Sequence, residues 1–366
     1  KFSTNKKDFH PAEPNQRPGS QASRIQIHVP CAHAMPDKKS KYLGILVNPM
    51  SGRDVRRIAA RASTSGHHEK QQQVIRLVLG AFSQGVERVF LAKEPYRISS
   101  RAIENLQQRD RVSLLDMPLT HTAADTRVAA EIMWQAGCRV FIVLGGDGTN
   151  RIVAQNFPEA IILPLSTGTN NVFPTFVEAS IAGAAAGLIA SGKMNHEDHC
   201  RRCKQIHIDW NGITDTALID AVLLGNDLLG SLLPFEAHNI ISLLLARAEP
   251  ASIGMSPIGG FLLPCYGTDD FAVFAQCGDE GRAITVPISP GLYNDINVSK
   301  IEKVALETPV TVKGPGILAF DGDRSLELAA GETANLEVRR DGPWIINAAA
   351  LMDSAASSGI FAPGET

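Results

Sequence analysis

Short apolar runs alternate with amphipathic segments in the first half of the chain, and this alternation constrains the fold more than any other feature. The runs have the length of buried strands, and they are Tyr42–Val47, Val86–Leu91, Val112–Leu115, Val140–Leu144 and Ala160–Leu163. Helical spacing lies between them at 54–63, 71–82 and 122–136, where Thr122 is suited to cap a helix that Gly137 ends. Strands that alternate with helices predict βαβ units and a parallel sheet.

The second half of the chain differs, because strand-like segments separated by Gly and Pro turns dominate after Lys204. The predicted strands are Gln205–Trp210, Thr216–Leu224, Phe271–Gln276, Ala283–Ile288, Val304–Val312, Gly316–Phe320 and Ala334–Val338. An Ala-rich helix is predicted before them at 176–190, and another helix interrupts them at Phe235–Ala248. The fold class is therefore α/β, with an N-terminal parallel α/β domain and a C-terminal, mostly antiparallel β-sandwich domain.

The length of 366 residues suggests two domains, and changes in composition suggest where they divide. Residues 1–38 carry repeated Pro among Lys, Arg, Gln and Ser, which predicts a disordered or extended tail. We assign 39–175 to the α/β domain and 176–350 to the β-rich domain with its connecting helices. Residues 351–366 are expected to form a second, fraying tail.

Composition excludes several classes of protein. Lys plus Arg number 35 and Asp plus Glu 38, and the formal net charge of −3 lacks the basic excess of a nucleic-acid binder. Six Cys are too few for a disulfide scaffold, and there is no run of about 20 apolar residues to predict a membrane span. We therefore expect a cytoplasmic protein whose partners include neither nucleic acid nor a membrane.

Three polar loops each follow a predicted strand, and parallel strands place such loops along one sheet edge, where ligands bind. The loops are Asn48–Gly52, Gly145–Asn150 and Ser166–Asn171. Their glycines, hydroxyls and amides suit contacts with phosphate, ribose or adenine, although each loop alone is also compatible with an ordinary turn or helix cap. The nucleotide-binding candidates are Asn48, Ser51, Gly52, Gly145, Gly146, Gly148, Thr149, Asn150, Thr167, Gly168, Thr169, Asn170 and Asn171.

Asp147 stands between the glycines of the second loop, where a carboxylate would repel a bound phosphate. It therefore has another role, either holding Mg²⁺ or accepting a proton from an attacking hydroxyl. The chain contains no G-x-x-x-x-G-K-[ST], no G-x-G-x-x-G and no G-x-S-x-G, so the usual nucleotide-binding and hydrolase motifs are absent. The loops also contain no Lys, so backbone N–H groups, Mg²⁺ or a more distant Arg must balance the phosphate charge.

The three loops, in this order, resemble those of the superfamily that joins NAD kinases with diacylglycerol and sphingosine kinases and, more remotely, phosphofructokinases. Gly145–Thr149 matches its hallmark, and the chain is similar to the AcoX-type, acetoin catabolism-associated branch at 48–54, 165–173 and 248–254. The resemblance implies an NAD kinase/phosphofructokinase-like N-terminal domain and an active site in the cleft between two domains. It also implies that Asp147 is catalytic in phosphoryl transfer, with ATP and Mg²⁺ as cofactors, and that the protein is a homo-oligomer.

Two acidic positions are candidates for substrate binding. In NAD kinases an Asn-Glu pair grips the NAD ribose, and the nearest counterparts here are Asp220 and the Asn226-Asp227 pair. Asp321, in Asp321-Gly-Asp323, resembles the start of the late Asp-Gly-Glu of lipid kinases. We take Asp220 and Asp321 as the candidates, and a carboxylate of a β-turn is the alternative for Asp321.

Three functions remain open at this stage. The first is an NAD kinase-like phosphotransferase that moves a phosphoryl group from ATP or polyphosphate to a hydroxyl of NAD or a related nucleotide. The second is a diacylglycerol-type lipid kinase, whose apolar entry would be the helix at Phe235–Ala248. The third is a non-catalytic nucleotide-binding regulator of acetoin-type catabolism, although a mere binder gains nothing from the carboxylate of Asp147.

One further cluster, His196–Cys203, combines two His with a Cys-x-x-Cys and so has the ligand types of a zinc site. All four ligands would have to wrap one ion within a single short segment, whereas zinc sites usually pair half-sites that lie far apart. We therefore favour a polar interdomain loop over a metal site here.

Overall fold

The structure is a computed structural model, and it describes residues 40–52, 66–167, 171–230 and 236–362. The predicted tail at 1–38 and the predicted helix at 54–63 lie outside the described residues. Three of the nucleotide-binding candidates, Gly168, Thr169 and Asn170, also lie outside them.

The described chain alternates strands and helices in its first half and is dominated by strands in its second half. The strands are β1 Tyr42–Val47, β2 Arg88–Ala92, β3 Val112–Leu115, β4 Val140–Leu144, β5 Ile161–Leu165, β6 Cys200–Arg202, β7 Gln205–Trp210, β8 Ile213–Ala217, β9 Asp220–Leu224, β10 Ile240–Leu245, β11 Phe271–Ser289, β12 Leu292–Ala305, β13 Val310–Lys313, β14 Gly316–Phe320, β15 Asp323–Leu328, β16 Thr333–Arg339 and β17 Trp344–Ile346. The helices are α1 His67–Ser83, α2 Ile98–Ile103, α3 Ala123–Gln135, α4 Asp147–Asn156, α5 Ala179–Ala190, α6 His196–His199, α7 Ser256–Gly260 and α8 Ala348–Ser357.

The first sheet has the order β3-β2-β1-β4-β5-β17-β6. Its first six strands run parallel, and β6 joins the edge antiparallel to β17. Apolar side chains of α1, α5 and α8 pack on one face, and those of α3 pack on the other. Because both faces are covered, the strands are almost continuously apolar rather than alternating, which is typical of parallel sheets.

The Ala-rich helix α5 packs on α1 with very little space between the two backbones. A Cβ atom on Gly80 of α1 would lie 2.3 Å from the carbonyl oxygen of Ser180, and a Cβ on Gly183 would lie 2.2 Å from that of Leu77. Small residues at the crossing therefore set the distance between the helices. The expectation of a packed connecting helix at 176–190 is confirmed for Ala179–Ala190.

The second half of the chain forms two antiparallel sheets. One has the order β12-β11-β10-β9-β14-β15, and the other has the order β13-β16-β7-β8. A buried apolar cluster drawn from both sheets lies between them, as in a β-sandwich. The fold class predicted from the sequence, a parallel α/β domain with a mostly antiparallel β-sandwich domain, is therefore confirmed.

The helix predicted at Phe235–Ala248 is wrong for its described part. Residues Ala237–Asn239 form a 3₁₀ turn, and Ile240–Leu245 is the strand β10, which pairs with both β9 and β11. A strand at the centre of a sheet is apolar on both faces, so its continuous apolar run resembles a buried helix by pattern alone. The lipid entry that we assigned to this helix loses its structural basis.

The boundary between the two domains was predicted at residue 175, but the sheets do not divide the chain there. Helix α5, strands β6 and β17 and helix α8 all belong to the layers of the first sheet. Residues from 351 onward were expected to form a fraying tail. Instead, Ala348–Ser357 is a helix with Asn347 as its N-cap, and the side chains of Leu351 and Ala355 are buried. No helix in the described ranges is long and apolar enough to cross a membrane.

Candidate active site

The three polar loops meet where the strand order of the first sheet reverses. Strand β1 has β2 on one side and β4 on the other, so the connections leave the sheet in opposite directions at the carboxyl ends of β1 and β4. The crevice at such a point is the usual ligand site of an open α/β sheet. A cavity of about 820 Å³ opens there, and its far wall is built by the β-rich half of the chain through Asp220, Ile253–Met255, Ile288, Ser289 and Asp321–Asp323.

Direct hydrogen bonds tie the three loops together. Asn48 Nδ2 donates to Thr149 Oγ1 at 2.8 Å, while Asn48 Oδ1 accepts the backbone N–H groups of Met50 and Ser51. The hydroxyl groups of Ser51 and Thr167 lie 2.6 Å apart and share a hydrogen bond. The first loop is therefore anchored to the second by Asn48 and to the third by Ser51.

Two glycines of the second loop, Gly145 and Gly146, lie where neighbouring side chains leave little space for a Cβ atom. A Cβ atom on Gly145 would lie 2.8 Å from the side chain of Thr149, and one on Gly146 would lie 3.0 Å from Asn171 Oδ1. Helix α4 begins at Asp147, directly after these glycines, so its N-terminus lies at the cavity. Backbone N–H groups at a helix N-terminus favour anions.

Most of the described candidates line the cavity: Asn48, Ser51, Gly52, Gly146, Asp147, Gly148, Thr149, Asn171, Asp220 and Asp321. Gly145, Asn150 and Thr167 are not among its lining residues. Asn150 is buried and its Nδ2 donates to the carbonyl of Gly146 at 2.9 Å, and Thr167 is buried beside Ser51. The buried side chains of Asn150 and Thr167 therefore stabilise the shape of the loops without lining the cavity.

The carboxylate of Asp147 is held in place by the backbone after the third loop. Its Oδ1 accepts the N–H of Phe173 at 2.9 Å, and both oxygens lie 3.2 Å from the N–H nitrogen of Val172. Burial and, to a smaller extent, the neighbouring Asp321 raise the pKa of Asp147 to about 7, against the lowering effect of these N–H groups and of Arg247. The side chain is therefore only partly ionised near neutral pH.

Asp321 and Asp220 bring two more carboxyl groups to the same region. Asp321 accepts the backbone N–H groups of Leu218, Ile219 and Asp220, the shortest at 2.8 Å. Asp220 is buried, and within the described chain its Oδ1 has no hydrogen-bond partner. Burial, Asp321 and Asp147 raise the pKa of Asp220 well above its usual value. Burial also raises the pKa of Asp321, against the lowering effect of Arg151 and the N–H groups.

Arg151 is the cation that lowers the pKa of both Asp220 and Asp321. It donates to the carbonyl of Phe320 at 3.0 Å and forms loose ion pairs with Asp215 at 3.6 Å and Asp323 at 3.8 Å. It lies one turn into α4 and therefore connects the second loop to the β-rich half of the chain.

Lys70 is a residue that sequence reasoning missed. Its side chain is fully buried, and Nζ donates to the carbonyl oxygens of Asn48, Pro49 and Ser51 beneath the first loop. The signal lay in the pattern of α1, where Lys70 occupies the same helical stripe as the buried Val74, Leu77, Val78 and Ala81. A Lys in line with an apolar stripe needs polar partners in the interior.

The His196–Cys203 segment forms the short helix α6 and the edge strand β6 rather than the loop that we favoured. Burial raises the pKa of the Cys200 and Cys203 thiols to about 12, so neither is a thiolate near neutral pH. In the ranges that the structure covers, no group of three or more His, Cys, Asp or Glu side chains could hold a metal ion.

The fold of this chain is NAD kinase-like. The crystal structure of yeast NADH kinase complexed with NADH superposes with a TM-score of 0.51 over 89% of each chain at 12% sequence identity. A putative diacylglycerol kinase from Bacillus anthracis str. Sterne reaches a TM-score of 0.45 at 14% identity, over 85% of this chain and 98% of its own. Residues 43–194 match the ATP-NAD kinase N-terminal domain.

The second half of the chain identifies the family more narrowly. Residues 204–341 match the acetoin catabolism protein X C-terminal domain. The acetoin catabolism protein X of Cupriavidus necator is 32% identical over 329 residues, which cover 86% of this chain and 92% of that protein. The chain belongs to the acetoin catabolism protein X family, which confirms the resemblance found in the loops.

Proposed function

We propose that the protein is a phosphotransferase that moves a phosphoryl group from ATP, or from polyphosphate, to a hydroxyl of NAD or a related nucleotide. The observation that carries the proposal is the Asp147 carboxylate, fixed by two backbone N–H groups in the cavity where the three loops meet. The match of residues 43–194 to the ATP-NAD kinase N-terminal domain supports the same class of reaction.

Asp147 is suited to accept the proton of the attacking hydroxyl. A general base works best when its pKa lies near the operating pH, and the pKa of Asp147 is raised to about 7. A carboxylate has about four lone-pair positions, and the hydrogen bonds from Val172 and Phe173 leave room for a hydroxyl at Oδ2. Asp147 would hold the acceptor hydroxyl in line with the donor and take its proton during transfer.

Donor phosphates would bind to backbone N–H groups rather than to a row of cations. The second loop and the N-terminus of α4 face the cavity, and such groups bind phosphate oxygens well. Arg151 is the nearby cation that would balance charge on the transferred group. Catalysis would then consist mainly of positioning and electrostatic stabilisation, as is typical of phosphoryl transfer.

Mg²⁺ fits this site as a companion of the donor phosphates. Magnesium keeps several waters and takes only one or two protein carboxylates beside phosphate oxygens, so it needs no cage of protein ligands. Asp323, an exposed carboxylate on the cavity wall, is the residue that would hold it. When bound, the ion would neutralise charge on the donor phosphates.

The test is turnover by the wild-type protein and by Asp147→Asn, with ATP or polyphosphate as donor and NAD, NADH or micellar diacylglycerol as acceptor. Because an amide cannot take up the proton, Asp147→Asn should lower kcat by at least about 10² and leave nucleotide binding nearly unchanged. Asp353→Asn, on the exposed face of α8, is the matched control and should retain full activity.

Two outcomes would replace the proposal. Full activity of Asp147→Asn would remove the base from the mechanism. Binding of ATP or NAD by the wild-type protein without turnover, for every donor and acceptor tried, would instead identify a non-catalytic nucleotide-binding protein.

A further inference from the structure

Lys70 lies directly beneath the first loop, on the side away from the cavity. It occupies the first turn of α1, is fully buried and is not among the residues that line the cavity. Its Nζ donates to Asn48 O at 2.9 Å, to Pro49 O at 2.8 Å and to Ser51 O. An ammonium group has three N–H donors, and this loop offers three carbonyl acceptors to it.

These hydrogen bonds determine which way the peptide groups of the loop face. In a planar trans peptide, the C=O of one residue and the N–H of the next point in opposite directions. With the Pro49 and Ser51 carbonyls directed at Lys70, the N–H groups of Met50 and Gly52 point away from it. Met50 N–H is taken by Asn48 Oδ1, whereas Gly52 lines the cavity with a left-handed φ of 79°.

The same loop anchors the other two loops. Asn48 reaches Thr149 of the second loop, and Ser51 reaches Thr167 of the third. A change in the shape of the first loop would therefore disturb the whole sheet edge rather than one contact. Lys70 Nζ donates to three backbone carbonyl oxygens of this one loop, those of Asn48, Pro49 and Ser51.

We infer that Lys70 is a positioning residue that holds the loop Asn48–Gly52 in the shape that receives the phosphate groups of the donor. The inference rests on the proposed function for the identity of the ligand, a nucleoside triphosphate or an inorganic polyphosphate. Lys70 does not touch that ligand, and its effect is transmitted by the loop backbone. The three loop sequences contain no Lys, and Lys70 reaches the first loop from helix α1.

The test compares Lys70→Met with Lys204→Met. Both lysines are buried, and Lys204 Nζ donates to the carbonyl of Phe271 and to Cys265 Sγ, at residues that do not line the cavity. Each substitution removes a buried ammonium group and keeps a side chain of similar length, so both variants lose stability. Thermal unfolding measures that loss, and isothermal titration with inorganic tripolyphosphate and with ATP measures the phosphate site.

We expect the dissociation constants of both probes to rise by about tenfold to 10² for Lys70→Met and to stay near the wild-type values for Lys204→Met. If Lys70→Met gives too little folded protein, Lys70→Gln keeps two of the three N–H donors and should show a smaller rise in the same direction. Unchanged binding by the Lys70 variant, or equal weakening in both variants, overturns the inference. Failure of the wild-type protein to bind either probe overturns the proposed function, and the inference with it.

Discussion

Asp220 and Asp321 are joined by two hydrogen bonds, one donated by the backbone N–H of each residue to the other. The N–H of Asp220 donates to Asp321 Oδ1 at 3.3 Å, and the N–H of Asp321 donates to the carbonyl of Asp220 at 3.2 Å. Two carboxyl groups are thereby held side by side in the interior. Asp321 has further N–H partners at Leu218 and Ile219, which stabilise its ionised form. The proton that the pair retains therefore belongs mainly on Asp220, whose Oδ1 has no partner in the described structure.

The first prediction concerns Asp220→Asn and the pH dependence of stability. The pKa of Asp220 is raised in the folded protein, so the folded state keeps a proton that the unfolded chain releases above about pH 4. The contribution of this group to stability is therefore complete below that pH and is lost as the pH rises toward the folded pKa. Each pKa unit corresponds to about 1.4 kcal/mol. An amide never ionises, so the variant should exceed the wild type in stability at about pH 8 but not at about pH 4.

Urea unfolding at several pH values measures this difference. The control is Asp209→Asn, at an exposed position of β7, which should follow the wild-type pH dependence throughout. A variant at position 220 whose stability falls with pH as steeply as that of the wild type would show that Asp220 is ionised in the folded state.

The second prediction concerns Asn48→Asp, which is nearly isosteric. The variant keeps the oxygen that accepts the N–H groups of Met50 and Ser51 but loses the amide that donates to Thr149. It also places a negative charge in a loop that is proposed to bind phosphate. We expect the dissociation constant for ATP to rise by at least about tenfold, equivalent to about 1.4 kcal/mol, while the free energy of unfolding changes by about 1 kcal/mol.

The control for Asn48→Asp is Asn156→Asp. Asn156 is exposed at the end of α4, where its amide donates to the carbonyl of Ile152. The same chemical change there should cost a little helix stability, because a negative charge near a helix C-terminus is unfavourable. It should leave ATP binding unaltered. Equal ATP affinity for the two variants would mean that the link between Asn48 and Thr149 does not shape the site.

The sequence revealed the local parts of this site and not their assembly. Gly145–Asn150 could be placed after a buried strand because a strand, a glycine turn and a helix follow one another directly along the chain. The meeting of Asp147, Asp220 and Asp321 could be suspected only through a family resemblance, because strand order brings together segments that are far apart in sequence. Strand β10 was mistaken for a helix because all but one of its six residues are buried, and periodicity then carries little information.

The third prediction concerns Gly80→Ala, at the crossing of α1 and α5. Alanine favours a helix over glycine by about 1 kcal/mol, so the substitution would stabilise an isolated helix. Here the new Cβ would lie 2.3 Å from the carbonyl oxygen of Ser180 and 2.8 Å from the nitrogen of Ala184, both backbone atoms. We expect a net loss of about 1–3 kcal/mol in the free energy of unfolding, measured by urea denaturation. Gly278→Ala, with nothing within 4 Å of the new Cβ, should change stability by less than about 0.5 kcal/mol.

The fourth prediction concerns Arg151→Met and again depends on pH. Arg151 lowers the pKa of both Asp220 and Asp321, so its removal makes ionising either carboxyl group costlier. Near pH 4, the usual pKa of an Asp, both carboxyl groups are mainly protonated because their pKa values are raised, and the variant loses mainly the hydrogen bond to Phe320, about 1 kcal/mol. As the pH rises toward about 8, any ionisation of these carboxyl groups occurs without their cation, so the loss of stability should become clearly larger.

Arg339→Met is the matched control for Arg151→Met. Arg339 forms a two-point ion pair with Glu337 on an exposed face of β16, with N···O distances of 2.7 and 2.9 Å. Exposed pairs contribute little to stability, so this variant should lose less than about 1 kcal/mol at either pH. Urea unfolding of both variants at the two pH values measures how far each loss of stability depends on pH. If Arg151→Met is destabilised equally at both, Arg151 acts only as a packing and hydrogen-bonding residue, and the buried carboxyl groups do not depend on its charge.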